Sequence, residues 1–379
     1  MSRFLFVTLP LAGHINPPAA VARVLAEHGH EVAWSGSESR LRPWLGPDAV
    51  VYSTGMRLFR GQPDTGFTAV KSLWESFIVP FTRFTLPSVE KAVRDYRPDV
   101  VVTDQHALAG GLVAQRHDLP WATFCTSTIE LGEPFRGLPL VDGWIRGHVS
   151  GLSAEAGLPG GTDPRFSPYL VIAFTSAFFL GDRLFPDHYA MVGPALSARP
   201  TAVSFPWERL DPARRHVLVT VGTMADDVAM DFYGRAVQAL RPLGDRVQAI
   251  VIAPADLPDT PEHIVAMARV PQLELMPHMD AVVCHAGLNT VSEALSCGVP
   301  LVVAPHTRDQ PINGAQVVRI GAGVRLHFHR ASPDSLRAAV LALLDDPEYR
   351  AAAGRVRDSF AAAGGAPAAA ARLEQLAAS

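Results

Sequence analysis

Two periodicities alternate along this chain. Residues 3–9 (RFLFVTL) are an unbroken apolar, β-rich run, the pattern of a strand buried on both faces of a parallel sheet. Pro17 and Pro18 stand where a helix begins, and Ala20, Val21, Val24 and Leu25 continue it at helical spacing. Residues 31–35 (EVAWS) predict a second strand, and 97–105 (RPDVVVTDQ) a buried strand with a polar tip. The helix-like ALAGGLVAQRHDL follows, and 121–126 (WATFCT) repeats the strand pattern. Strand, helix, strand in succession implies right-handed crossovers and a parallel sheet.

Periodicity fails around residues 193–212, where prolines gather as in an interdomain linker. The rhythm then restarts, with predicted strands at 215–223, 246–254, 281–285 and 300–305. From about 334 the chain is Ala-rich and helical, broken by Gly364, Gly365 and Pro367. A length of 379 residues suits two domains better than one. The expected fold class is therefore α/β, two doubly wound, Rossmann-like parallel-sheet domains. The boundaries read as 1–195 for the first domain, 196–212 for the linker, 213–350 for the second domain and 351–379 for a helical tail packing back across the first. Ligands are expected at the carboxyl ends of both sheets, in a cleft between the domains.

Composition narrows the class of partner. Hydrophobic residues make up 48% and charged residues 18%, with a formal net charge of -4, which describes a compact chain and argues against nucleic acid. Cys125, Cys284 and Cys297 are scattered, so no disulfide framework is implied and a reducing, cytoplasmic setting is expected. The opening MSRFLFVTLPLAG resembles a short signal peptide but runs into GHINPP without a cleavage site, and is read as part of the fold. No apolar stretch reaches the roughly 18 residues of a membrane span. The expected partners are small molecules, and the expected state is a monomer or homodimer.

Polar and glycine residues gather at the predicted strand tips. In the first half these are the loop from Pro10 with His14, and Asp104. In the second they are Gly222 and Thr223, the turn His285 to Thr290, and Asp309 with Gln310. His14, expected in a loop after the first strand, is a candidate general base, and Asp104 the carboxylate that would orient it. The turn HAGLNT has two readings. Gly287 and the free N–H groups of a helix starting near 290 could hold an anion. Thr290-Val-Ser-Glu293 also matches a capping box, in which Glu293 would return to its own helix start. Spacing leaves both open.

Other chemistry is weak. His28 with His30, and His327 with His329, have strand-like ligand spacing, but no adjacent Cys or carboxylate set completes a metal site. The two lysines, Lys71 and Lys91, lie away from the tips, and there is neither a P-loop nor a full GxGxxG. Trp74, Phe77, Phe81 and Phe84 recur at helical spacing, which suits core or the wall of an apolar pocket. Residues 131–151, with Phe135 and Trp144 among glycines and prolines, read as a mobile loop over the same region.

Residues 270–326 (VPQLELMPHMDAVVCHAGLNTVSEALSCGVPLVVAPHTRDQPINGAQVVRIGAGVRL) closely resemble the nucleotide-sugar signature of the family 1 glycosyltransferases of GT-B fold. The opening PLAGHINPPAAVARVLAEHGHEV resembles the amino-terminal motif of the same family, particularly its bacterial natural-product and macrolide-type members. The resemblance implies an inverting transfer from a UDP- or dTDP-linked sugar, with no cofactor or metal, to an oxygen, or a nitrogen or carbon, of an apolar or aromatic aglycone. It implies that Val270 and Gln272 meet the nucleobase and that Glu293 holds the ribose. His285, Gly287, Asn289 and Thr290 would bind the diphosphate, closed by Gly222 and Thr223. Asp309 and Gln310 would grip the sugar, and His14, oriented by Asp104, would take the acceptor proton. Trp74, Phe77, Phe81 and Trp144 are the acceptor-side candidates. Arg269 stands where the signature often has a base-stacking Trp, which leaves the uridine or thymidine choice open. A nucleotide-sugar epimerase of the same fold and a non-catalytic sugar-nucleotide sensor are the rival expectations.

Overall fold

The computed structural model describes residues 1–55, 66–128, 131, 137–159, 163–181, 183–196, 203–222, 227–253, 257 and 259–379. The chain divides into two compact units, one of residues 1–200 with 362–379, the other of residues 201–361.

The first unit holds a seven-stranded parallel sheet of β1 (Arg3–Val7), β2 (Glu31–Gly36), β3 (Val50–Ser53), β4 (Val100–Asp104), β5 (Trp121–Cys125), β6 (Leu170–Ala173) and β7 (Tyr189–Met191), in the order β3-β2-β1-β4-β5-β6-β7. Side chains alternate across it, as the pleat requires. Leu5, Val7 and Val101 enter the core on one face, while Phe4, Phe6, Val100 and Val102 enter the core on the other. That second core includes Ala369, Ala370 and Leu373 of the carboxyl-terminal helix Gly365–Ala378.

The second unit holds a six-stranded parallel sheet of β8 (Arg215–Thr220), β9 (Val247–Ile252), β10 (Ile264–Met267), β11 (Ala281–Cys284), β12 (Leu301–Val303) and β13 (Gly323–Arg325), in the order β10-β9-β8-β11-β12-β13. In each sheet the strand order reverses once, between β1 and β4 and between β8 and β11. Such a switch point leaves an open crevice at the carboxyl ends of the strands, because the flanking helices go to opposite faces.

Several local expectations are corrected. The helix predicted to start at the prolines starts at Ala12 and runs to Glu27, so His14 lies in its first turn and not in a loop. Pro17 and Pro18 cannot donate to the carbonyls four residues back, but they tolerate the helical φ, and the turn before them closes through His14 and Ile15 N–H bonds to the Leu11 carbonyl. Residues 139–151, read as a loop, belong to the helix Pro139–Glu155. Its glycines at 143, 147 and 151 have open space around them, while Ile145, Val149 and Leu152 bury the other face, so apolar spacing outweighs glycine content.

The aromatic stripe forms a π-helical turn, Ser72–Ile78, leading into the helix Val79–Tyr96. Pro80 has no N–H for the carbonyl of Ser76 and its ring crowds that group. The ladder widens accordingly, and Val79 N–H bonds the Trp74 carbonyl five residues back.

Candidate active site

Each switch point gathers the residues with candidate chemistry. In the first unit, β1, β4 and β5 are neighbours in register, with Val7 beside Thr103 and Asp104 beside Phe124. The helix after β1 therefore brings His14 to the tip of β4. His14 Nδ1 lies 2.8 Å from Asp104 Oδ2, across 90 residues of sequence. Asp104 is 1% exposed, and its other oxygen accepts the His106 backbone N–H at 2.9 Å.

A third side chain completes this cluster. Thr126, just past β5, donates to Asp104 Oδ2 at 2.5 Å and lies 2.7 Å from His14 Nδ1. Burial works to raise the Asp104 pKa, but the charge and hydrogen bond of His14, the charge of His106 and the Thr126 bond outweigh it and hold the carboxyl below its usual range. Asp104 is thus an ionised acceptor. Among the described residues, one trio of metal-ligand groups comes together, His14, Asp104 and His106, with ligand atoms within 4.8 Å. Two of those atoms, His14 Nδ1 and Asp104 Oδ2, already bond to each other.

In the second unit, the turn after β11 meets the end of β8. The helix Leu288–Ser296 begins with Gly287 as its N-cap, and no side chain caps it. The capping-box reading is thereby corrected: Thr290 is the third helical residue and Glu293 the sixth, one turn too late to reach back. Glu293, 1% exposed, instead accepts a hydrogen bond from the Gln272 side-chain amide. Val270 beside it is buried, and Arg269 is exposed.

His285 shows why the glycines are there. A Cβ at Gly222 would lie 2.7 Å from its ring, and one at Gly287 2.6 Å from Nε2. Gly222 also has φ +72, a conformation that L side chains rarely adopt. The open space expected for a ligand at Gly287 is therefore shared with this imidazole. Burial lowers the His285 pKa to about 4, with the Thr220 backbone opposing and the His306 charge adding to the lowering. The ring is neutral near pH 7.

The helix Gln310–Arg319 that follows β12 joins the same turn through Asn313, a residue outside the quoted motif contacts. Asn313, fully buried, donates through Nδ2 to the Ala286 carbonyl at 3.1 Å and to Asp309 Oδ2 at 3.2 Å. Ala286 sits at φ 64, costly for a residue with a Cβ. Gln310 Oε1 accepts the His306 and Thr307 N–H groups at 2.8 and 2.9 Å. Asp309, Asn289 and His285 remain partly open, while Thr290 is buried. Thr223 and Phe135 lie outside the described residues.

The acceptor-side aromatics separate. Trp74, Phe77 and Phe81 are buried in the first unit's core, because the stripe faces the sheet. Trp144 is half-buried, with its ring 5.7 Å from that of Phe67, itself half exposed. The pair His28 and His30 meets a carboxylate distant in the sequence: Glu374 Oε1 lies 2.7 Å from His28 Nδ1 and 3.2 Å from His30 Nε2. The residues are more than 340 positions apart in the chain, so spacing had no access to the contact.

Comparison with known proteins now assigns the family. Residues 239–376 match the model of the erythromycin biosynthesis protein CIII-like C-terminal domain. The chain is 31% identical to 4'-demethylrebeccamycin synthase of Lentzea aerocolonigenes, covering 95% of this chain and 96% of that one. It is 27% identical to the NDP-glycosyltransferase YjiC of Bacillus subtilis, over 97% and 95% of the two chains. Among solved structures, the spinosyn rhamnosyltransferase SpnG complexed with thymidine diphosphate superposes with a TM-score of 0.79 at 22% identity, covering 98% of this chain and all of that one. The chain belongs to the family 1 glycosyltransferases of GT-B fold, and it is an enzyme of the natural-product glycosyltransferase kind.

Proposed function

We propose that this enzyme transfers a sugar from a UDP- or dTDP-linked donor to a nucleophilic oxygen of an apolar, ring-bearing natural product, by one inverting displacement that needs no metal or other cofactor. The contact between His14 and Asp104 carries this reading. An ionised carboxylate only accepts, so it keeps the proton on Nδ1 and leaves the lone pair on Nε2. As the acceptor oxygen attacks the anomeric carbon, its proton passes to Nε2, and the bond from that carbon to the diphosphate oxygen breaks on the opposite face. Asp104 stabilises the imidazolium that forms.

Charge develops on the departing diphosphate. The first turn of the helix Leu288–Ser296 presents unbonded N–H groups and the positive end of its dipole, which suits that charge. Such fixed donors act without reorganising as the bond breaks, the role a metal ion fills in other transferases. Neutral His285 would contribute a hydrogen bond and not a charge. Glu293 would meet the ribose, Val270 and Gln272 the base, and Asp309 with Gln310 the sugar hydroxyls. The thymidine diphosphate of SpnG supports a nucleoside diphosphate donor. Three free thiols, Cys125, Cys284 and Cys297, support residence in a reducing compartment such as the cytoplasm.

His14→Ala tests the reading. Donor binding, measured by calorimetry with UDP-glucose and with a dTDP-sugar, should persist while turnover falls by about 10² to 10⁴. Full turnover in that variant would remove His14 from the mechanism.

A further inference from the structure

We infer that Thr126 is a positioning residue that shares the Nδ1 proton with Asp104 and sets the basicity of His14, making the base a three-membered unit. The inference rests on the reading of His14 as the acceptor's base.

Three atoms form a closed triangle: Thr126 Oγ1 to Asp104 Oδ2 at 2.5 Å, Thr126 Oγ1 to His14 Nδ1 at 2.7 Å, and His14 Nδ1 to Asp104 Oδ2 at 2.8 Å. Their protons can be counted. The carboxylate oxygen has none, the hydroxyl has one, and Nδ1 has one or none according to tautomer. The hydroxyl proton goes to the carboxylate, because a hydrogen bond to an ionised acceptor is about twice as strong as one between neutral groups. The Thr126 oxygen then turns a lone pair toward Nδ1. An unprotonated Nδ1 would face two oxygen lone pairs, whereas a protonated one is shared between both oxygens. Asp104 alone would favour the same tautomer. Thr126 adds a second acceptor for that proton.

Thr126 also draws charge density from Asp104. Oδ2 takes a bond from Thr126 as well as from His14, while Oδ1 is held by the His106 N–H. Removing the hydroxyl leaves Oδ2 to His14 alone, which strengthens its hold on the imidazolium and makes the base more basic. Among the described residues, Asp104 bonds His14, and the His106 ring centroid lies 6.0 Å from that of His14. Neither is displaced by an isosteric change at Thr126. Thr126 is 6% exposed, so water does not readily replace its hydroxyl.

The test uses the full chain labelled with ¹⁵N-histidine, the His14 signals being identified by their loss in His14→Gln. Wild type and Thr126→Ser should show Nδ1 protonated in the neutral ring. Thr126→Val should raise the His14 pKa by about half to one pH unit and leave Nδ1 protonated in the neutral ring. Turnover at neutral pH should fall about tenfold, with donor affinity unchanged and Thr126→Ser restoring most of the loss. Should the valine variant not fold, Thr126→Cys, a weak donor, should give a smaller shift of the same sign. An unchanged His14 pKa in Thr126→Val would overturn the inference. The spectra read Thr126 independently of catalysis: if they shift as expected while His14→Ala keeps full turnover, the base assignment fails and the triangle stands.

Discussion

The Gln272 side-chain amide donates to the carboxylate of Glu293, 21 residues away, and both side chains are buried. The contact gives Glu293 a partner on another element in place of its own helix start. Gln272→Leu removes a hydrogen bond from a buried carboxylate, which costs about 1 to 3 kcal/mol, and should lower the melting temperature by several degrees. The double variant Gln272→Leu/Glu293→Leu should recover much of that loss, since both polar groups are gone. Donor affinity should stay low in both, and a double variant that regained donor affinity would take Glu293 out of the ribose site.

Asp104 makes a second prediction, through acid stability. Its folded pKa lies below the usual carboxylate value, so the stability it contributes is complete above the unfolded pKa of about 3.9 and is lost as pH falls through the folded value. Asp104→Asn should flatten the steepest acid part of a plot of melting temperature against pH, and it should cut turnover because an amide NH2 in the place of Oδ2 donates to Nδ1 and favours the wrong tautomer. A variant with unaltered acid behaviour would show that the carboxylate is not held ionised.

His285 predicts the opposite group type in a neighbouring window. Its pKa falls from 6.5 to about 4 on folding, so between those values the unfolded chain binds a proton that the native one does not. Stability should fall on acidification from about pH 6.5 to 4, by on the order of 2 kcal/mol allowing for its part exposure. His285→Gln should remove that slope. Nucleoside diphosphate binding near pH 5.5 should take up protons, because the anion favours the charged ring; calorimetry in two buffers of different ionisation enthalpy measures this.

The glycines that flank His285 divide into two cases. Gly287→Ala keeps an ordinary φ of -62 and meets only the ring, with the Cβ 2.6 Å from Nε2. Gly222→Ala meets the ring at 2.7 Å and adds a φ of +72. Both should weaken donor binding, but Gly222→Ala should also lose about 1 kcal/mol more stability from backbone strain. Pairing each with His285→Ala should restore the stability of Gly287→Ala but only part of that of Gly222→Ala, with donor binding still weak in both.

Asn313 links the Ala286 carbonyl to Asp309. Asn313→Leu leaves the left-handed turn at Ala286 without its amide donor, so affinity for a nucleotide sugar should drop tenfold or more. If Asp309 grips the sugar, affinity for the bare nucleoside diphosphate should drop less. Equal losses for the two ligands would confine Asn313 to the turn.

The order of buried strands and crossovers was legible in the sequence because burial on both faces of a parallel sheet leaves continuous apolar runs, a local signal. Five strands of three or four residues, β3, β6, β7, β10 and β13, were not assigned, while β11 and β12, no longer than these, were, because their apolar runs extend past the strand itself. The sites divide in the same way. The sequence by itself determined that His14, Asp104, the HAGLNT turn and the Asp309-Gln310 pair stand at strand ends or at the start of the helix that follows, because a strand and its following helix are adjacent in the chain. Only the tertiary structure decided their partners: Thr126 with His14 and Asp104, Gln272 with Glu293, the His285 ring against Gly222 and Gly287, and Glu374 with His28 and His30. A hydrogen bond spans about 3 Å, and which groups come that close across tens or hundreds of residues depends on strand order and register, which no local periodicity encodes.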